Sequence, residues 1–428
     1  MKSKFLIIFI FLFTLLAHSV SAKEITYIDI SSPDARRINI AVPWFVNSEQ
    51  PSRLQTLGRD LADTLGRSLA FHGIFNLLSA EQYGKRQDAN WKTLGADFVV
   101  LGSYTLSTAG IKMEIRLLDV AGGDMLMGKR YDGTRSLEQS MLFRFTDAVI
   151  KEMTGENGIA SSQIAFVSDK NGFKEVYLTD ILGKKTRQIT RHKNLVVSPR
   201  FLPGGRFLTY TSYHSGNQNL YITDLKQSST TRPLSRRRGM NLAPAWSPDG
   251  KRMILTLSKD GNPDLFLLDR KGEILKQLTR RSGINVSPAW SPDGKRIAFV
   301  SDRSGRPQVY IMNLKNNKVQ RITFKGRENA EPSWSPKGDL IAYSSLTDGS
   351  YQIFTISPRP SSAPRQITTD TGHHESPSWS PDGKQILFSL RKGQSQKIYS
   401  ILKNGSSMRQ LFNIQGNQTY PQWSISYN

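Results

Sequence analysis

The chain of 428 residues has few side chains able to do chemistry, and they are poorly grouped for it. It contains no cysteine, which removes thiol nucleophiles, thiolate metal sites and disulfides together. Of its six histidines, His18 lies in an apolar leader. The adjacent His373-His374 could ligate a metal, but no third or fourth ligand accompanies them, so a polar loop is the reading. Asp249, Asp293 and Asp382 recur at one place in a repeated motif, where Lys337 stands in the fourth copy. A cation site would not welcome that lysine, so these aspartates read as turn formers. No Gly-x-Ser-x-Gly pentapeptide marks a nucleophile elbow. The expectation is no catalytic residue, no metal site and no cofactor. What the chain does offer is positive charge, a formal +23 that falls to +21 once Lys2 and Lys4 are cleaved away. Arg236-Arg237-Arg238 and Arg280-Arg281 are its densest runs. Such a balance often marks nucleic-acid binding. In an exported chain it points instead to an acidic protein surface, anionic lipid or cell-wall polymer.

Export is read from residues 1–22. Lys2 and Lys4 form a basic start, Phe5 to Ala17 is an apolar run too short to span a bilayer comfortably, and Val20-Ser21-Ala22 is a small-residue cleavage site. The mature chain is expected to begin near Lys23 and to be exported, with a length that suggests two domains.

The positioning elements come from a repeat. Pro244-Ala245-Trp246-Ser247-Pro248-Asp249-Gly250-Lys251 recurs around Trp290, Trp334 and Trp379, weakly around Phe201 and in truncated form at Trp423. The steps are 44 or 45 residues. In the copy from Ser287, Ser287–Ser291 is a strand, Pro292-Asp293-Gly294-Lys295 a turn with glycine at positive φ, and Arg296–Ser301, Gln308–Asn313 and Val319–Thr323 three more strands. This is the pattern of a propeller of four-stranded blades. The first copy lacks a Trp strand and the last Trp strand has nothing after it. The strand at 421–424 can therefore complete the first blade and close a six-bladed ring over 159–428. Trp246, Trp290, Trp334, Trp379 and Trp423 read as core packing ahead of a sugar-stacking platform. The Pro-Asp-Gly turns face one end of the channel. The links between blades face the other, together with Asp169-Lys170, Asp302-Arg303, Lys325, Arg327 and the two histidines.

Residues 23–158 lack the repeat and form a small α+β domain. Ile38–Pro43 is a strand, and Leu54–Phe71 is a helix on the spacing of Leu57, Leu61, Leu65 and Leu69. Asp97–Leu106, Ile111–Val120 and Asp124–Tyr131 are a meander. Leu137–Met153 is a second helix, with Ser136 as N-cap and Gln139 three residues on. Gly155–Ser162 is the link to the propeller.

This combination, with Gly305-Arg306-Pro307-Gln308-Val309-Tyr310 and Gln320-Arg321-Ile322-Thr323 as its fuller matches, resembles the TolB family, periplasmic components of the Tol-Pal system of Gram-negative bacteria. The resemblance covers the whole chain. It implies a non-enzymatic adaptor that binds the peptidoglycan-associated lipoprotein Pal through one propeller face and the inner-membrane protein TolA through its N-terminal peptide, in the service of outer-membrane integrity and constriction at division. For the Pal face it implies Met240, Asn241 and Ala243, with Met240 standing where a histidine is expected, and Asn285 and Val286. Geometry extends that face to Asn329, Glu331, His374 and Glu375. The TolA peptide lies within residues 23–32, with Glu24, Ile25, Thr26, Tyr27, Ile28 and Asp29 as its contacts. It is an extended segment able to add as a strand or detach. Other outer-membrane lipoproteins and bacteriocins are further expected partners. Membrane contact is expected only through partners, and the chain is expected to be a monomer. A glycan- or peptidoglycan-binding propeller is the alternative. A propeller hydrolase comes behind it, for want of room for a catalytic domain.

Overall fold

The computed structural model describes residues 36–50, 55–227 and 230–424. The expected leader (1–22) and the peptide 23–32 lie outside the described residues. In the first domain a mixed sheet runs β3-β1-β4-β5-β6, with β1 at Ile38–Ala41, β3 at Phe75–Leu77, β4 at Phe98–Ser107, β5 at Gly110–Asp119 and β6 at Met125–Gly133; a short β2, Val46–Asn47, pairs with β4. The last three strands are the expected meander. One sheet face packs on α1 (Gln55–Phe71) and α2 (Glu138–Thr154). Leu61, Leu65 and Leu69 of α1 bury against Met141, Phe145 and Val149 of α2, as their spacing requires.

Ser136 does not cap α2. Residues Arg135–Leu137 form a 3-10 turn capped by Thr134, so the helix starts one residue late, with Leu137 at its cap and no side-chain cap bond. The Ser136 hydroxyl pairs with that of Thr134 at 2.8 Å, and Gln139 is buried in the first helical turn. Tightening of the first turn into 3-10 geometry is common at helix starts and displaces the cap signal.

The second domain is six antiparallel four-stranded sheets. In the blade expected from Ser287 the strands are Asn285–Trp290, Arg296–Ser301, Gln308–Asn313 and Val319–Arg321. Its turn shows why aspartate recurs there. Ser291 Oγ donates to Asp293 Oδ1 at 2.5 Å, Asp293 Oδ1 also accepts the Lys295 N–H at 3.0 Å, and Gly294 takes φ 66°. In the fourth copy, where Lys337 occupies the aspartate position, Ser335 Oγ donates to Asp339 Oδ1 at 2.8 Å instead.

Each innermost strand carries a register shift at a non-glycine residue with positive φ: Ser198, Ala243, Ser287, Glu331, Ser376 and Tyr420. Six bulges thus bend six strands around the channel. Neighbouring blades share cores; Ala245, Ile254 and Leu265 of one pack with Trp290, Phe299 and Tyr310 of the next. They also share a buried polar lock. Thr279 Oγ1, just past an outer strand, donates to Asp264 Oδ1 at 2.7 Å and accepts the Leu265 N–H at 2.9 Å. Asn285 Nδ2 of the next blade donates to the same carboxylate oxygen at 3.0 Å. Thr323, Gln308 and Asn329 repeat the arrangement at 2.9 and 2.8 Å. The threonine that follows the outer strand in the sequence repeat therefore belongs to the joint between blades.

The ring closes through Gln418–Trp423, which pairs with Gln163–Ser168 in the register Trp423↔Ile164. The closing tryptophan also ties the two domains together. Trp423 Nε1 donates to Ser162 Oγ at 2.6 Å, and its ring meets Phe71, at the end of α1, edge-on with centroids 5.9 Å apart. The Phe71 carbonyl accepts from Gln385 Nε2 at 2.9 Å and Arg409 Nη2 at 2.7 Å. The link is ordered as well: Glu156 pairs with Lys337 and Lys384, and Ile159 and Ala160 are buried. Beneath them His72 is buried, its Nε2 accepting the Ile159 N–H at 3.0 Å, which leaves Nδ1–H to donate to Ser68 O at 2.9 Å. Burial holds its pKa below the ordinary value against the opposing pull of Asp147.

Two outcomes follow from this joint. Trp423→Ala removes the closing indole and its Ser162 bond, and is expected to cost about 3–5 kcal/mol, read as a lowered urea midpoint; an unchanged midpoint would show that closure does not depend on it. A protonated His72 would set two N–H donors face to face. Because its native pKa is lowered, the stability it contributes is complete above about pH 6.5 and is lost as pH falls towards the native pKa. His72→Gln is expected to lower stability at pH 8 but to flatten the acid slope below pH 6.5; a variant with the parental slope would rule out His72 as its source.

Candidate docking face and central channel

The amino domain sits on the turn end of the propeller, against the blades that carry Lys337, Lys384 and Lys184. The opposite end, made by the links between blades and by the loops between second and third strands, is clear of those contacts. Arg236, Arg238, Arg280, Arg281, Lys325 and Arg327 are exposed there. Arg237, in the middle of its run, is instead tied to Ser235 Oγ at 2.9 Å and to the Gly272 carbonyl at 2.9 Å. Asp302 and Arg303 are structural too. Asp302 Oδ1 accepts the Ile284 N–H at 2.7 Å, and Arg303 donates to Asn285 Oδ1 at 2.7 Å while covering the Tyr310 ring at 5.0 Å.

Among the residues expected at this face, Met240 and Val286 are half-buried at the mouth and Ala243 holds a bulge at φ 50°. Asn241, Asn285 and Asn329 are fully buried and bond to the links around them, Asn241 Nδ2 to the Arg237 carbonyl at 2.7 Å and Asn329 Nδ2 to the Lys325 carbonyl at 2.9 Å. Their side chains shape the loops that present the arginines. His374 is fully buried beside Asp370, with Nε2 2.8 Å from Oδ1, and Lys392 holds the other carboxylate oxygen at 2.9 Å. Its neighbour His373 packs on the Tyr351 ring, and among the described residues no group of three or more His, Asp or Glu could hold a metal ion. Glu331 and Glu375 sit on the channel wall. Glu331 accepts from the Ser376 N–H at 2.6 Å and from its hydroxyl at 3.0 Å, and burial pushes both carboxyls above the ordinary range.

The structure adds apolar groups to this face that charge and motif reading missed. Phe324 is 69% exposed, Ile284 46% and Phe173 45%, all on links or second-to-third-strand loops at this end. Arg321 covers one face of the Phe324 ring at 4.8 Å. A signal existed, because an apolar residue inside a polar inter-blade link has no core to enter. A second cluster was also missed. The His192 and His214 rings lie with centroids 4.1 Å apart, tilted by 51°, and both Nδ1 atoms bond Ser212 Oγ, at 2.7 and 2.9 Å. Burial, with a smaller push from His214, lowers the His192 pKa to about 4, so that ring stays neutral at neutral pH.

The innermost strands leave a central channel whose turn end widens into a cavity of about 400 Å³, walled by the repeat tryptophans. All five indoles are at most 8% exposed, and their N–H groups are spent on protein acceptors, Trp290 on the Ala245 carbonyl at 2.9 Å and Trp379 on that of Ser333 at 3.0 Å. The tryptophans are therefore core residues that also line a cavity.

Comparison with known proteins agrees with this architecture. Residues 150–427 match the family model described as the TolB beta propeller domain, and residues 26–126 match the TolB amino-terminal domain. A Tol-Pal system protein TolB from Desulfotalea psychrophila is 53% identical over 210 residues, 49% of this chain and 48% of the relative. One from Desulfosudis oleivorans is 37% identical over 216 residues, 48% and 49% of the two chains. These alignments span about half the length of the curated relatives. The crystal structure of TolB from Acinetobacter baumannii superposes with a TM-score of 0.80 at 26% identity, over 91% of this chain and 97% of that one. With both of its domains matched, the chain belongs to the TolB family.

Proposed function

We propose that the protein is a non-enzymatic periplasmic adaptor of a Tol-Pal envelope system. Its loop face binds the peptidoglycan-associated lipoprotein Pal, and its N-terminal peptide, with Glu24–Asp29 at its centre, engages TolA; together they support outer-membrane integrity and constriction during division. The observation that carries the docking reading is the coincidence, on one face, of exposed Phe324 and Ile284 with Arg280, Arg281, Lys325 and Arg327. Apolar anchors ringed by charge are how a protein interface combines affinity with steering. In this reading Met240, Ala243 and Val286 form the mouth of the site. Asn241, Asn285, Asn329 and His374 hold its loops, and Glu331 and Glu375 contribute from the channel wall.

The test is a titration of the mature protein against the periplasmic domain of its host's Pal-type lipoprotein at low and high salt. Binding is expected, weaker at high salt because the arginines are exposed. Phe324→Ala is expected to weaken it about tenfold or more, while leaving the thermal midpoint unchanged because the ring is outside the core. No binding at either salt would defeat the Pal reading. Unaltered affinity in the variant would move the site off this face.

A further inference from the structure

The cavity lies at the turn end of the channel, opposite the loops of the docking face, and shares Glu331 with the channel wall. Its rim is turn prolines such as Pro248 and Pro292, and its wall is indole. With the indole N–H groups already engaged, the indoles offer carbon. Serine hydroxyls and the Gln422 amide line the cavity between them, and its ionisable groups are Arg200 and Glu331. Glu331 is engaged with Ser376. Arg200 is not matched in this way. Its Nη1 donates to the Pro199 carbonyl at 2.9 Å, the one hydrogen bond of its guanidinium among the described residues, and no ion pair joins it to a carboxylate among them. A guanidinium has five N–H donors in a planar fork, and a charge withdrawn from bulk water is retained at a cost unless an anion or further acceptors meet it. Burial accordingly weakens its hold on its proton, although the nearby Glu331 and Tyr420 work the other way.

We infer that this cavity is a binding site for a small monocarboxylate with a flat apolar body, the carboxylate lying on the Arg200 fork and the body among the indoles and prolines. The volume lies within the range of small-molecule sites. The fork matches a carboxylate in two parallel hydrogen bonds. A multiply charged anion such as phosphate is disfavoured, because Arg200 is the one basic side chain lining the cavity among the described residues.

The probes are N-acetylphenylalanine and N-acetylphenylalaninamide, which differ in the carboxylate alone, titrated into the full mature chain by calorimetry with tryptophan fluorescence as a second readout. The acid is expected to saturate at millimolar concentration or below and to bind about tenfold or more tightly than the amide. Arg200→Gln is expected to bring the acid to the level of the amide. Equal binding of acid and amide to the unaltered chain would overturn the assignment to Arg200. Absence of acid binding up to about 10 mM would overturn the site itself. Both comparisons run on the unaltered protein, so neither depends on the variant folding.

Discussion

Everything in this molecule depends on closing a ring whose two ends are far apart in the chain. A sheet blade with an open edge has unpaired backbone groups, and a ring of blades removes the inner problem only if the last strand returns to the first blade. Here Gln418–Trp423 does so by pairing with Gln163–Ser168. The chain holds no disulfide to secure that contact. Its security comes from packing, and much of that packing is supplied by the other domain. The closing indole rests against Phe71 and bonds Ser162, so the ring joint and the domain joint are one structure.

That arrangement explains why the link between domains is not a tether. Glu156 is held by two lysines from turns of adjacent blades, Ile159 and Ala160 are buried, and the Ile159 N–H ends on a buried imidazole. A flexible linker would leave these groups in water. Buried here, each polar atom needs its partner, and the cost of breaking one is high because the others hold the geometry. The amino domain therefore acts as a clasp on the blades that begin and end the ring.

The sequence is a good guide to this fold for a physical reason. A propeller repeats one local solution, so turn chemistry at Pro-Asp-Gly and the Trp step report on every blade at once. What it could not show is the purpose of residues whose partners lie in the next blade. Asn285 and Asn329 sit in loops before a Trp strand and look available for contact, yet their amides close onto Asp264 and Gln308 across the blade boundary. His374 is similar, a histidine in a polar stretch that is nevertheless buried beside Asp370. The bulges are invisible for another reason: serine, alanine, glutamate and tyrosine all occupy positive φ there, imposed by ring curvature and not by residue type. Conversely Phe324 and Ile284, apolar residues inside polar links, were passed over because only the ring shows that they stand on one exposed face.

The placement of the two ends bears on how one could inform the other. The amino domain grips the turn end, whereas the apolar and basic docking groups stand at the loop end. The innermost strands are the direct path between them, since five of the six begin at a link with a buried asparagine, histidine or glutamine, and they end at turns beside the amino domain or the cavity. Their midpoints are bulges held away from ordinary strand geometry. Glu331 makes this concrete: its own backbone is one of the six bulges, its carboxylate binds the next bulge at Ser376, and its charge is felt by Arg200 two blades further round. That bond ties two neighbouring innermost strands together at their bulges on the channel wall.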